Sequence, residues 1–135
     1  MTKFKCSYLG DLNCEAIHLQ SGSLIKTDAP LDHCCKGESF SPTDLLATSL
    51  GTCLLTIMAI KAKAKGFELE GIYLNIEKLM TQNSERKIKE LIIDIFIPER
   101  TSDETINFLK NASKECPVTR NLSQEIDIKI SWHHE

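Results

Sequence analysis

SPTDLLATSLGTCLLTIMAIKAKAKG, residues 41–66, decides how the rest of this chain is read. Ser41 suits an N-cap, and Pro42 suits the first helical position because its missing N–H would find no partner there. Asp44 stands where a capping-box acid reaches back to the cap. From Leu45 to Ile60 apolar and small residues fall on every face, and no charge appears until Lys61. That pattern is wrong for an amphipathic surface helix and predicts one long helix buried nearly all round. Lys61, Lys63 and Lys65 lie at its negative end, and Gly66 can supply the left-handed residue that stops it. Cys53 sits mid-helix, far from the dipole's end, so by itself it is either a small apolar core residue or a reactive thiol.

Upstream, residues 3–9, 13–19 and 23–27 are short segments divided by Gly-Asp and Ser-Gly turn signals, the spacing of a three-stranded antiparallel meander. The alternation in the middle segment does not say which face is buried, and His18 is read as a sheet-face residue. Residues 28–40 lack either period and form a loop leading to the helix. Downstream, FELEGIYLNIEKLM and RKIKELIIDIFIPE form a hairpin across the polar TQNSE turn, with Ile88, Leu91, Ile93, Ile95 and Ile97 on its core side. Thr101 with Glu104 makes a second capping-box pattern before a helix carrying Ile106, Leu109 and Ala112. This helix should end near Cys116. Pro117 disfavours helical geometry there and places the thiol at an accessible helix end or turn. EIDIKISW alternates as a closing strand, leaving His133 and His134 as a polar tail.

The element order is α+β, with one antiparallel sheet packed on a long central helix within a single domain spanning residues 1–135. One six-stranded sheet and one short helix cannot cover so apolar a central helix, so a homodimer is expected. A net charge of −3 with mixed signs gives no footprint for nucleic acid. The uncharged run is shorter than a membrane span, and no apolar leader opens the chain, which makes the cytoplasm the default address. Six cysteines without such a leader are expected to be reduced. No C-x-x-C pair occurs, and His33, Cys34 and Cys35 lack zinc spacing, so neither a metal nor another cofactor is expected.

SPTDLLATSLGTC and ASKECPVTRNL together resemble the OsmC/Ohr family, the osmotically inducible and organic hydroperoxide resistance proteins. SPTDLLATSLGTC is similar to the Pro-acid-x-Leu segment leading into the family's cysteine-bearing helix. ASKECPVTRNL is similar to the stretch that carries the family's other cysteine followed by Pro. Length and element order agree over nearly the whole chain.

The resemblance implies an intertwined homodimer with a site at its interface, and a thiol peroxidase. Cys53 would then be the peroxidatic thiol, Cys116 the resolving thiol and Asp44 the nearby acid, with an external dithiol as reductant. Thr43, Leu46, Leu50 and Arg120 are candidates for substrate contact, and apolar walls including Leu45, Leu54 and Ile57 would favour an organic hydroperoxide. Peroxidases of the family hold the thiolate with an N-terminal arginine paired with a glutamate just after the Pro. Here the arginines are Arg86, Arg100 and Arg120, all beyond the helix, and Thr43 stands at the glutamate position. Lys5, Lys26 or Lys36 could replace that cation, as could Arg120. The alternatives are a binding or redox-sensing dimer without turnover, and a structural dimer with both cysteines in the core.

Overall fold

Strand pairing in the computed structural model, which describes residues 1–30 and 37–135, produces two three-stranded sheets rather than one six-stranded sheet. The chain divides into two units, residues 1–46 and 47–135, each containing one sheet. The element order of three strands, a long helix, two strands, helices and a strand follows the expected α+β sequence.

In the first unit β1 (Phe4–Gly10), β2 (Asn13–His18) and β3 (Leu24–Thr27) form the antiparallel meander. Its register resolves the face that β2 alone leaves ambiguous. Phe4 pairs with His18, Cys6 with Ala16 and Tyr8 with Cys14, while Ala16 pairs with Ile25. Directly paired residues share a face, so these side chains gather on one largely apolar surface. Lys5, Ser7, Glu15 and Lys26 lie on the other. Asp28 then closes the following loop: its amide donates to the Phe40 carbonyl at 3.0 Å, and its carboxylate accepts from the Ala29 and Glu38 amides.

The long helix α1 (Pro42–Ala64) begins as the sequence dictates. The Asp44 amide donates to Ser41 Oγ at 3.1 Å, and the Ser41 amide donates to Asp44 Oδ2 at 2.9 Å. This is the reciprocal capping box, made by a Ser41 that is itself buried. The helix is not buried all round. Ala47, Leu50, Gly51, Leu54, Met58 and Ala62 form one buried stripe, whereas Leu46 and Ile60 are exposed. By length and composition α1 could cross a bilayer, with mean hydropathy 1.7 over its most apolar window. Its stripe nevertheless packs into protein core.

That core belongs to the second unit. β4 (Tyr73–Met80) pairs antiparallel with β5 (Ile88–Ile97), and β6 (Asp127–His134) lies on the other side of β5. β6 runs parallel to β5, a departure from an all-antiparallel sheet that follows from the helical connection between them. Ile88, Leu91, Ile93, Ile95 and Ile97 face the core as expected for a central strand. On the opposite face Tyr73, Phe96 and His133 stack across three strands, each ring pair 4.8 Å apart. His133 Nε2 also meets Asp94 Oδ1 at 2.7 Å, and His134 Nε2 donates to the Glu99 carbonyl. Both histidines therefore belong to the strand and not to a tail. Helix α2 (Asp103–Ser113) is capped by Ser102, which accepts from the Thr105 amide, one residue later than the Thr101 pattern suggests. A further short helix, α3 (Pro117–Asn121), follows.

α1 approaches β4 closely at Gly51. A Cβ there would overlap Ile76 Cδ1 and come within 2.9 Å of Leu74 Cδ1. Gly51→Ala should therefore fail to gain the ~1 kcal/mol that helix propensity alone offers. Gly51→Val should lower stability by about 1–3 kcal/mol through overpacking. Urea denaturation checks both, and an unchanged midpoint for the valine variant would show that the seam has room.

Candidate active site

Two thiols meet inside the second unit. Cys53 is carried on α1 directly before buried Leu54, is partly exposed, and packs against the apolar core. Cys116 is 0% exposed and part of that core. The accessible position expected beside Pro117 is thus corrected. Cys116 does leave helical geometry, at φ −63° and ψ 116°, but as the N-cap of α3 with Pro117 in its first turn. Val118 and Leu122 then pack on the same cluster and draw the turn inward.

The environments of the two sulfurs differ. Burial pushes the Cys53 thiol above its ordinary value, its contact with Cys116 pushes further in the same direction, and the Val118 amide opposes both. For Cys116 burial also pushes upward, but it is outweighed by donation from the Cys53 thiol, the Thr119 hydroxyl and the Thr119 and Val118 amides. Cys116 falls below its ordinary value as a result. The amide contacts do not amount to a regular N-cap hydrogen bond. The two thiols thus act on one another.

Just outside the pair, Lys61 on α1 meets Glu115 at 2.7 Å and holds that carboxyl below its usual range. Arg120, exposed on α3, also acts on Glu115. The residue before Cys116 is thereby tied to the helix that carries Cys53.

Of the sequence candidates, Cys53 and Cys116 are brought together. Arg120 lies one turn beyond Cys116, and its charge acts on Glu115. Leu50 is fully buried and fills the core, so it does not line an open wall. In the first unit Asp44 serves the cap, Thr43 Oγ1 lies 3.2 Å from Ser41 Oγ, and Leu46 is 37% exposed. Lys5 and Lys26 lie on exposed strand positions. Lys36, His33, Cys34 and Cys35 fall outside the described residues. Val118 and Thr119 were not among the candidates. Their signal was Pro117, which suits the first turn of a helix as well as it ends one.

Fold and thiol pair together define an α+β protein with a cysteine couple, one sulfur partly exposed and the other buried, between a long helix and a short one. The chain belongs to the OsmC family: the family model described as OsmC-like protein matches residues 35–131. Among solved structures it is similar to a Psychrobacter arcticus 273-4 protein named for osmotic stress induction and a detoxification response. The two are 42% identical, with a TM-score of 0.89, over 98% of this chain and 96% of that one. An organic hydroperoxide resistance protein OsmC from Legionella pneumophila shares the fold at 20% identity and TM-score 0.74, over 98% and 96% of the two chains. So does the organic hydroperoxide resistance protein OhrB of Bacillus subtilis, at 16% identity and TM-score 0.64, over 98% and 97%. No curated protein matches the chain.

Two thiols in contact should close with little backbone movement. Treatment with one equivalent of diamide is expected to yield an intrachain Cys53–Cys116 disulfide on non-reducing peptide mapping. Recovery of both cysteines unmodified would show that the pair is not placed for bonding.

Proposed function

We propose that this OsmC family protein is a thiol-dependent peroxidase that reduces organic hydroperoxides through Cys53 and Cys116. The observation that carries the reading is the contact between these two free thiols in an otherwise apolar core. The names of the Psychrobacter, Legionella and Bacillus proteins supply the stress and hydroperoxide context. In this reading a Cys53 thiolate attacks the O–O bond, the alcohol leaves, and the sulfenic acid condenses with Cys116. An external dithiol then restores both thiols. Thr43 and Leu46 on the first turns of α1 and Arg120 on α3 are the substrate contacts, and Asp44 keeps its capping role while serving as the acid of the site. Leu50 acts from behind, as core that fixes the helix.

The whole chain is proposed to act as one OsmC-like domain in a cytoplasmic homodimer. The exposed apolar surface of the first sheet, with Phe4, Tyr8 and Ile25, supports a second copy as its cover, as do Leu46 and Ile60 on α1. Replacing Phe4 and Ile25 together with Glu is expected to halve the mass measured by sedimentation. A wild-type monomer at micromolar concentration would overturn the dimer.

One observation favours a second reading, a redox-sensing or ligand-binding dimer without turnover: the raised Cys53 thiol, with no arginine before residue 86 to lower it. Consumption of cumene hydroperoxide under excess dithiol separates the two. The peroxidase reading expects dithiol-dependent turnover, loss of turnover in Cys53→Ser, and slower use of hydrogen peroxide. Persistence of the hydroperoxide with wild-type protein would leave the sensor or binder.

A further inference from the structure

Two cations near the end of α1 reach across to α2 and to the turn that follows it. Lys61 Nζ lies 2.7 Å from Glu115 Oε2, and Lys65 Nζ lies 4.6 Å from the centre of the Phe108 ring. On the inner side Met58 of α1 packs with Leu109 and Ala112 of α2 in one buried cluster. Glu115 is the single residue between Lys114, which closes α2, and Cys116, which opens α3. Its amide donates to the Ala112 carbonyl at 3.1 Å, while the neighbouring Lys114 ammonium turns to Asn111 Oδ1. Beyond the turn, Asn121 Nδ2 donates to the Pro117 carbonyl at 2.8 Å and closes α3. Apolar burial is non-directional, whereas an ion pair between two defined atoms selects one position of the turn along α1. The Lys61 and Glu115 side chains are 39% and 50% exposed, so the pair adds little to overall stability. Its weight lies in its place, on the residue next to Cys116.

Resting on the peroxidase reading, we propose that Glu115 and Lys61 are positioning residues for the second step of the cycle. Their ion pair holds the turn between α2 and α3 at the height on α1 where Cys116 meets Cys53, and so sets how completely and how fast the disulfide closes. In that step the Cys116 sulfur attacks the sulfur of the Cys53 sulfenic acid. The S–S bond forms, the S–OH bond breaks, and the hydroxyl leaves with the Cys116 proton as water. Closure of two tethered groups follows the share of time they spend in bonding geometry. A turn released on its outer side still buries Cys116 but spreads it over more positions along α1. The preceding attack on peroxide uses Cys53 alone, so the ion pair does not enter it.

The test has two arms on the full-length protein. In the first, the equilibrium between the Cys53–Cys116 disulfide and dithiothreitol is measured at low salt by non-reducing peptide mapping. Glu115→Gln and Lys61→Met are each expected to weaken the disulfide by about three- to fivefold, the upper part of the range for an exposed ion pair. The urea midpoint of the reduced protein should stay in place, and the difference should vanish at about 1 M salt. Glu115→Asp, with its charge on a shorter stem, should behave like Glu115→Gln. The exchanged pair, Lys61→Glu with Glu115→Lys, should recover most of the loss. If Glu115 acted only through its charge on the thiols, Glu115→Asp would match wild type and the exchanged pair would depart further. Either of those results, less than a twofold change in both single variants, or no disulfide in wild type overturns the proposal. In the second arm, single-turnover oxidation by cumene hydroperoxide is followed by sulfenic-acid trapping. Glu115→Gln should leave the rate of Cys53 oxidation unchanged and lengthen the life of the sulfenic acid by about the same factor; an equal lifetime overturns the proposal. Wild type inert to the hydroperoxide, with the dithiothreitol arm as expected, would sink the peroxidase reading and leave the positioning role standing.

Discussion

The second unit depends on the close approach of α1 to β4 at Gly51, where the absence of a side chain lets the tips of Leu74 and Ile76 reach the helix backbone. With that seam closed, Leu50 and Leu54 on either side of it enter the core beside Leu91, Ile93 and Ile95. Cys53 follows from the same rotation of the helix. It falls at the flank of the buried stripe, part exposed, where the turn before α3 can bring Cys116 against it. A larger residue at position 51 would have to displace the Ile76 and Leu74 side-chain tips, so the packing of this seam is set two residues from Cys53.

Much of this was legible in the sequence because local signals agreed with the fold. The Ser41–Asp44 box, the hairpin around residues 81–87 and the alternating isoleucines of β5 all formed as read. What could not be read depended on partners distant in the chain. The division into two sheets and the parallel pairing of β6 are choices among strand neighbours, on which alternation within one strand is silent. The apolar face of the first sheet emerged only when Phe4, Tyr8 and Ile25 were collected by register. The sequence pattern put the cap of α2 at Thr101, whereas the adjacent hydroxyl of Ser102 is the one that accepts from the Thr105 amide.

The candidate site was legible in its sulfurs and not in its surroundings. Cys53 and Cys116 were named from their motifs, but Cys-Pro is ambiguous: it can end one helix in the open or cap another helix that folds inward. The inward turn buries Cys116 and recruits Val118 and Thr119. The long helix shows a related limit. Its composition suits burial on every face, yet one chain covers a single stripe.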